Sequence, residues 1–324
     1  MYGRIYMKLY RILISGAGQL GSRYLQGLAA CHLPLEIYVQ DISLASLNLA
    51  KERWIEVATS KTPHKVEFHL SLKTIPSLID IAVVATTAQV RPKVICEIVS
   101  HSRVNFWILE KVLAQSEAGL DEIVRQVGQA KAWVNTPRRM LHWHHQLKSQ
   151  LNHSEPMTLK VYGGSWGIAC NSIHFLDMFA WLTGEDLLKI NTEQLDSKWI
   201  EAKRSGNWEV LGELKAQFSG GSSANFQAKE GEVFYKFELT NGANTWVIDE
   251  EAGVAKRSDG FELPGRIPFQ SEMSAVLVES ILKKGTCDLP LLAESVRIHR
   301  IFIRSMLEHW NLSADTSATA VPIT

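Results

Sequence analysis

Short apolar runs alternate with longer amphipathic stretches over residues 9–111. Continuous aliphatic and β-branched runs are typical of parallel strands that are covered on both faces, and the stretches between them have helical spacing. The pattern therefore predicts a doubly wound α/β domain. The predicted strands are residues 9–15, 36–40, 81–85 and 106–109, and the predicted helices are residues 20–31 and 44–58.

The pattern changes in the second half of the chain. After a predicted helix (116–130) and a short strand (132–134), strand-like runs recur from residue 157, with Gly-Gly and Asn-Gly turns between them. This predicts an α+β half with a large, open, mostly antiparallel sheet. Helical spacing returns at 272–284 and 292–310, and the small polar tail from residue 313 is expected to fray. We place the two domains at 1–130 and 131–324.

Composition limits the classes of partner. The 324 residues contain 46% hydrophobic and 21% charged residues, which is typical of globular domains and not of disordered chains. Lys plus Arg and Asp plus Glu number 34 each, so no net charge attracts nucleic acid or a membrane surface. A small molecule is the expected partner.

The cysteines and the apolar stretches indicate a cytoplasmic protein. Cys31, Cys96, Cys170 and Cys287 are far apart, so neither a zinc site nor a disulfide framework is expected. The N-terminal stretch runs directly into the first motif and has no signal-peptide pattern, and no window has the roughly 18 uncharged apolar residues of a membrane span.

A glycine-rich loop follows the first predicted strand. Gly16-Ala17-Gly18-Gln19-Leu20-Gly21 has the pattern G-x-G-x-x-G and lies where a helix begins. The first glycine permits the tight turn, the second lets the backbone approach a pyrophosphate, and the third allows close helix-to-strand packing. This context predicts a dinucleotide site, the alternative being a glycine-rich turn that binds nothing.

Asp41 ends the second strand, near where an acidic side chain accepts hydrogen bonds from the ribose hydroxyls of a dinucleotide. Because a carboxylate there repels a 2′-phosphate, NAD is favoured over NADP. Asp41 could instead be the N-cap of the next helix.

Two further motifs suggest a family. Glu110-Lys111-Val112 follows a buried strand, and Asn171-Ser172-Ile173-His174-Phe175-Leu176-Asp177 follows Gly163-Gly164. With the glycine loop, they resemble the Gfo/Idh/MocA family of glucose-fructose oxidoreductase and inositol dehydrogenase relatives. The resemblance implies a Rossmann domain (1–130) that binds NAD, and a substrate and oligomerisation domain (131–324). It further implies hydride transfer between the nicotinamide of NAD(P) and a hydroxyl or keto carbon of a sugar or nucleotide-sugar, with a role in surface-polysaccharide synthesis and a homodimeric or homotetrameric assembly.

The resemblance also implies roles for single residues. Thr86, Glu110 and Lys111 would border the cofactor. Lys111 would also polarise the reacting oxygen, and His174 would take the hydroxyl proton, for which an imidazole is suited near neutral pH. From the residues alone, Lys111 could be an exposed lysine paired with Glu110, and His174 a hydrogen-bonded core histidine.

Further polar residues are candidates for the substrate site. Asn171, His174 and Asp177 are spaced along one side of a helix, so Asp177 could orient His174 or bind a sugar hydroxyl. Arg138 could pair with an anionic group of the substrate or form a structural ion pair. Cys170 stands where many family members have Asp, which leaves Lys111 and His174 as the catalytic pair.

A metal site, a regulatory function and a different enzyme class are the alternatives to an NAD-dependent oxidoreductase. The histidines at 142, 144, 145 and 153 lack carboxylates or cysteines at ligand spacing, so no metal site is expected. A catalytically silent dinucleotide-binding regulator would keep the glycine loop without needing Lys111 or His174. A lyase or hydrolase that retains NAD would show no net change in nicotinamide absorbance.

Overall fold

A computed structural model describes residues 8–59 and 62–324, and the chain divides into two compact units. Of the described residues, unit 1 comprises 8–59, 62–110, 122–134 and 268–288, and unit 2 comprises 111–121, 135–267 and 289–324. Each unit is assembled from several stretches of the chain. A single boundary after residue 130 therefore does not describe the division, because sheet pairing and helix packing join segments that are distant in sequence.

The strands form two sheets, numbered here along the chain. Those of the first sheet are β1 (Tyr10–Ser15), β2 (Leu35–Gln40), β3 (Lys65–His69), β4 (Leu78–Val84), β5 (Arg103–Leu109) and β6 (Lys131–Val134). Those of the second are β7 (Met157–Gly163), β8 (Leu187–Glu201), β9 (Trp208–Phe218), β10 (Ser223–Ala228), β11 (Tyr235–Asn241), β12 (Asn244–Asp249), β13 (Val254–Arg257) and β14 (Glu262–Pro264).

The described residues also form eight α-helices and two short 3-10 helices, Leu72–Thr74 and Pro137–Met140. The α-helices are α1 (Gln19–Leu28), α2 (Leu44–Val57), α3 (Arg91–His101), α4 (Glu117–Val127), α5 (His142–Ser149), α6 (Ile168–Thr183), α7 (Gln270–Lys284) and α8 (Leu292–Ala314). None of them, within the part of the chain that the structure describes, is long and apolar enough to cross a bilayer.

Unit 1 contains a six-stranded parallel sheet in the order β3-β2-β1-β4-β5-β6. This is the Rossmann order, with a switch point between β1 and β4 where ligands bind outside the carboxyl ends of the strands. The central runs at 12–14 and 81–84 are completely buried, as predicted for strands covered on both faces. The doubly wound parallel sheet is confirmed.

Strand β3 and helix α3 of unit 1 lie outside the predicted set. The edge strand β3 is polar and only partly buried, so its sequence lacks an apolar run. Helix α3 begins at Arg91-Pro92, where proline in the first turn is itself a helix-start signal. Helix α7 is far from α1 in sequence but packs on it at Gly27. An added Cβ on Gly27 would lie 2.3 Å from the Ser271 carbonyl oxygen.

Unit 2 contains an eight-stranded sheet in the order β14-β13-β12-β11-β7-β10-β9-β8. Only the β7 and β10 pair is parallel among the described pairings, so the mostly antiparallel prediction is confirmed. Buried residues alternate along the central strands, and α6 and α8 contact the sheet on β9, β10 and β8. The α+β class of this half follows directly from that arrangement.

The outward positions of the central strands are polar. Between the buried residues of β7, β10 and β11 stand hydrophilic side chains, namely Thr158, Lys160, Asn225, Gln227, Lys236 and Glu238. This face of the central strands therefore offers no apolar surface for a second copy of the chain, and the expected dimer or tetramer stays a prediction.

The C-terminal segment is ordered, so the predicted fraying is wrong. Val321 and Ile323 are completely buried. The Val321 N–H donates to the Gln115 carbonyl oxygen at 2.9 Å, the Gln115 side-chain amide donates to the Ile323 carbonyl oxygen at 2.9 Å, and the Trp208 N–H donates to the Pro322 carbonyl oxygen at 2.8 Å. Alternating apolar residues and backbone pairing hold this segment in unit 2, although its composition is that of a loose tail.

Candidate functional site

The glycine loop of unit 1 connects β1 to α1 and has little room for side chains at two positions. Gly16 has φ +95°, and an added Cβ would lie 2.9 Å from the Thr86 backbone nitrogen. A Cβ on Gly21 would lie 1.7 Å from the Gly16 carbonyl oxygen. Both positions therefore require glycine for the loop itself, in keeping with a tight turn followed by close helix packing.

Gly18 differs from its neighbours. Its backbone is extended (φ −64°), and an added Cβ would meet no atom within 4 Å. No side chain caps the start of α1, and its first turn contains no acidic residue. Backbone N–H groups at a helix start are unpaired and carry partial positive charge. The absence of a side chain at Gly18 thus fits the close approach of a pyrophosphate.

Asp41 is tied to the glycine loop. Its Oδ2 accepts a hydrogen bond from the Ala17 N–H at 2.7 Å, and its Oδ1 accepts one from the Ser43 N–H at 2.8 Å. The N-cap of α2 is Ser43, whose hydroxyl accepts from the Ser46 N–H at 3.3 Å. The N-cap alternative for Asp41 is therefore wrong. Its carboxylate lies beside the loop, where the dinucleotide interpretation requires it.

The other predicted cofactor residues of unit 1 differ in whether their polar atoms already have hydrogen-bond partners. The Thr86 Oγ1 is buried and has no hydrogen-bond partner among the described residues, next to the Gly16 backbone. Glu110 is buried and accepts a hydrogen bond from the Tyr24 hydroxyl at 2.7 Å. Gln19 accepts hydrogen bonds from Arg53 through its backbone and side-chain oxygens. The unsatisfied Thr86 hydroxyl and the uncapped helix start fit a polar dinucleotide, since buried hydroxyls are normally paired.

Lys111 belongs to unit 2, where it contacts helix α6. Its Nζ donates to the Cys170 carbonyl oxygen at 3.0 Å and lies 3.2 Å from Cys170 Sγ. Sequence reasoning placed Lys111 in the first domain and His174 in the second, but the structure places both in unit 2. The alternative pairing of Lys111 with Glu110 is not what these hydrogen bonds show.

His174 lies one turn along α6 from Cys170. Burial, reinforced by the positive charges of Lys111, Arg138 and His299, holds its pKa well below the ordinary value. Its Nδ1 is buried without a hydrogen-bond partner in the described residues, although the ring as a whole is only partly buried. His174 is therefore neutral at pH 7 and able to accept a proton, and it is not the satisfied core histidine of the alternative interpretation.

Asp177 is engaged in an ion pair. Its carboxylate accepts from Arg139 Nη2 at 2.7 Å and Nε at 2.9 Å, and from the Thr136 hydroxyl at 2.8 Å. Asp177 is almost completely buried, so these bonds replace contact with water. The predicted orientation of His174 by Asp177 is not among the hydrogen bonds that the structure shows. Asn171, which is partly exposed, donates to the Trp166 carbonyl oxygen at 2.7 Å.

Arg138 forms a buried ion pair, one of the two alternatives that the sequence left open. Its Nε and Nη2 donate to Glu250 at 3.0 and 2.7 Å, and Nη2 also donates to the Tyr235 hydroxyl at 3.1 Å. The guanidinium lies 4.2 Å from the centre of the Phe175 ring. Its charge is therefore balanced within unit 2 before any substrate binds.

One residue near Lys111 was missed by the sequence reasoning. Glu209, near the start of β9, accepts hydrogen bonds from the N–H groups of Ala169 and Cys170 at 2.9 and 3.0 Å. Burial raises its pKa to about 7, against the opposing effect of these bonds and of the Lys111 charge. No motif marks Glu209, which lies in an ordinary strand pattern, so only the pairing of distant segments reveals it.

The histidine-rich segment has local partners. His144 Nδ1 lies 3.1 Å from the Arg138 carbonyl oxygen, and His145 Nε2 lies 2.6 Å from that of Arg139. Across the described residues, no group of three or more His, Cys, Asp or Glu side chains is arranged to hold a metal ion.

Comparisons with known proteins give a result at the level of the fold. No protein-family model matches the sequence, and no curated protein matches it. Solved structures do match over nearly the whole length. An oxidoreductase from Agrobacterium radiobacter, in complex with NAD+, L-tartaric acid and magnesium, has a TM-score of 0.70 at 14% identity, covering 93% of this chain and 96% of that one.

Two further structures are similar to a comparable degree. UDP-N-acetylglucosamine 3-dehydrogenase from Acidithiobacillus ferrooxidans has a TM-score of 0.67 at 13% identity, covering 95% of this chain and 99% of that one. Myo-inositol dehydrogenase from Lactobacillus casei, in complex with NAD(H) and myo-inositol, has a TM-score of 0.66 at 15% identity, with 96% of each chain covered. The chain has the fold of these dehydrogenases. The fold implied by the resemblance to the Gfo/Idh/MocA family is confirmed.

Proposed function

We propose that the protein is an NAD-dependent oxidoreductase that transfers a hydride between the nicotinamide and a hydroxyl or keto carbon. The observation that carries the proposal is the start of α1. No side chain caps its N–H groups there, and a Cβ on Gly18 would meet nothing within 4 Å. Asp41, placed beside this loop by its bond to Ala17, supports NAD rather than NADP because its charge opposes a 2′-phosphate.

The residues of unit 2 supply the acid-base chemistry of this proposal. Bound NAD would supply the hydride acceptor at C4 of its nicotinamide. Oxidation of an alcohol breaks one C–H and one O–H bond, so the chain must bind the oxygen and accept its proton. The Lys111 ammonium is suited to polarising that oxygen. His174 is neutral and its buried Nδ1 has no hydrogen-bond partner among the described residues, so it can accept the proton, although the burial that lowers its pKa makes it a weaker base than a free imidazole.

The substrate class is inferred from the similar structures. The similar structures include dehydrogenases of UDP-N-acetylglucosamine and of myo-inositol, so we propose a polyhydroxylated substrate such as a sugar or nucleotide-sugar. A role in surface-polysaccharide synthesis, a cytoplasmic location and a dimeric or tetrameric state are parts of the same proposal. Asn171 would contact the substrate. Arg138 and Asp177, whose charges are already paired, would shape its surroundings.

Turnover and cofactor binding can be tested together. The purified protein is titrated with NAD+ and NADH, and nicotinamide absorbance is followed against a panel of UDP-sugars and polyols. A Lys111→Ala variant should retain cofactor affinity while losing turnover by about a hundredfold or more, because oxyanion-stabilising groups contribute on this order. Lys160→Ala, which changes an exposed lysine of β7, is the matched control.

Three outcomes would count against parts of the proposal. Absence of NAD binding by the wild-type protein would remove the cofactor assignment. Wild-type turnover in Lys111→Ala would remove the catalytic assignment of Lys111. Substrate conversion without a net change in nicotinamide absorbance would instead indicate a lyase or hydrolase that retains NAD.

A further inference from the structure

The first turn of α6 is held by a carboxylate from a different strand. The N-cap of α6 is Gly167, so the helix has no capping side chain of its own. Glu209 of β9 takes that place and accepts the N–H groups of Ala169 and Cys170. Gly167 permits this approach, because an added Cβ there would lie 2.9 Å from Glu209 Oε1 and φ is +83°.

The residue that Glu209 fixes is also the residue that Lys111 binds. Cys170 donates its N–H to Glu209, and its carbonyl oxygen and sulfur lie 3.0 and 3.2 Å from Lys111 Nζ. The position of the ammonium group is thus set by atoms whose own position depends on the Glu209 carboxylate. The neighbouring Trp208 N–H donates to the Pro322 carbonyl oxygen, which fixes the start of β9 in turn.

We propose that Glu209 is a positioning residue for Lys111, acting through the first turn of α6 and through its negative charge. The proposal rests on the function proposed above, in which Lys111 polarises the reacting oxygen. The ionised carboxylate accepts both N–H groups and attracts the ammonium. A protonated carboxyl group accepts the N–H groups less strongly and does not attract the ammonium.

The charges around Glu209 predict a pH dependence. Lys111, from the segment after β5, is the charged group that acts on Glu209, helix α6 presents the backbone N–H groups of Ala169 and Cys170 to it, and Ile200 of β8 pairs with it across the sheet. Because the pKa of Glu209 is about 7, kcat/KM should rise with pH through this value as the carboxylate forms. The pKa of His174 is well below its ordinary value, so its own titration lies at lower pH.

The test compares Glu209→Gln and Glu209→Asp with Glu213→Gln. Glu213 lies on the same strand, but its carboxylate pairs with Lys215 at 2.9 Å. Glu209→Gln should lower kcat by about ten- to a hundredfold, the scale expected for a misplaced catalytic group. Its kcat/KM should no longer rise with pH near 7. Glu209→Asp should keep the rise of kcat/KM near pH 7 and should have a kcat between those of Glu209→Gln and the wild type. Glu213→Gln should match the wild type, and all variants should bind NAD+ equally well.

A folded Glu209→Gln variant with the wild-type kcat and pH profile would overturn the proposal. If that variant does not fold, Glu209→Asp decides the matter, since a wild-type kcat in it would count against positioning. Amide hydrogen exchange separates this inference from the proposed function, because it needs no substrate. Exchange of the Ala169 and Cys170 amides should accelerate about tenfold or more in Glu209→Gln. Unchanged exchange refutes the inference even if the wild type shows no turnover.

Discussion

Replacing Gly18 with alanine should separate cofactor binding from folding. Gly18 has an extended backbone that any residue adopts, and its Cβ would meet no protein atom within 4 Å. Alanine is a poorer N-cap than glycine by a fraction of a kcal/mol, whereas it reduces the entropy of the unfolded chain by a similar amount. The free energy of unfolding should therefore change by less than about 0.5 kcal/mol.

The free-energy cost of the added methyl group should appear only when the dinucleotide binds. The added methyl group lies over the start of α1, where the pyrophosphate is proposed to approach the backbone. Forcing a methyl group into a close-packed contact costs about 1–3 kcal/mol. This corresponds to a Kd for NAD+ that is weaker by about 5- to 150-fold.

Gly21→Ala is the comparison that tests the reasoning. Its Cβ would lie 1.7 Å from the Gly16 carbonyl oxygen, so the loop must move even without a ligand. We expect a loss of roughly 3 kcal/mol, which lowers Tm by about 6–12 °C. Both variants are measured by calorimetric titration with NAD+ and by thermal unfolding. Wild-type affinity in Gly18→Ala would refute the placement of the pyrophosphate, and unchanged stability in Gly21→Ala would refute the loop geometry.

Three other substitutions test the surrounding structure. Asp41→Asn should narrow the preference for NADH over NADPH by about tenfold in fluorescence titration, because it removes the charge that opposes a 2′-phosphate; an unchanged ratio would contradict this. Asp177→Ala removes the buried carboxylate that pairs with Arg139 and leaves it only the more exposed Glu294, so it should cost about 1–3 kcal/mol in urea unfolding; a change below about 0.5 kcal/mol would contradict this. Ile323→Ala should cost about 2–5 kcal/mol because Ile323 is completely buried; a change below about 0.5 kcal/mol would favour a frayed tail.

The sequence by itself determined the local elements and the chemistry that they carry. The strand predicted at 9–15 is observed as β1, Tyr10–Ser15, and the loop from Gly16 lies between this strand and a helix as expected. These features depend on periodicity and on the backbone freedom of glycine, which act over a few residues. The doubly wound parallel class of the first sheet followed from the same patterns, because alternating strands and helices predict parallel pairing through crossover helices.

Tertiary structure alone decided which polar groups meet. From the sequence, Arg138 could bind the substrate or form a structural ion pair. In the structure it pairs with Glu250, which lies far along the chain. Glu209 reached α6, and Val321 was buried against Gln115, without any local signal. A composition typical of a frayed tail or an ordinary strand does not encode such contacts, because their free energy comes from burial and hydrogen bonding between segments that only the completed fold brings together.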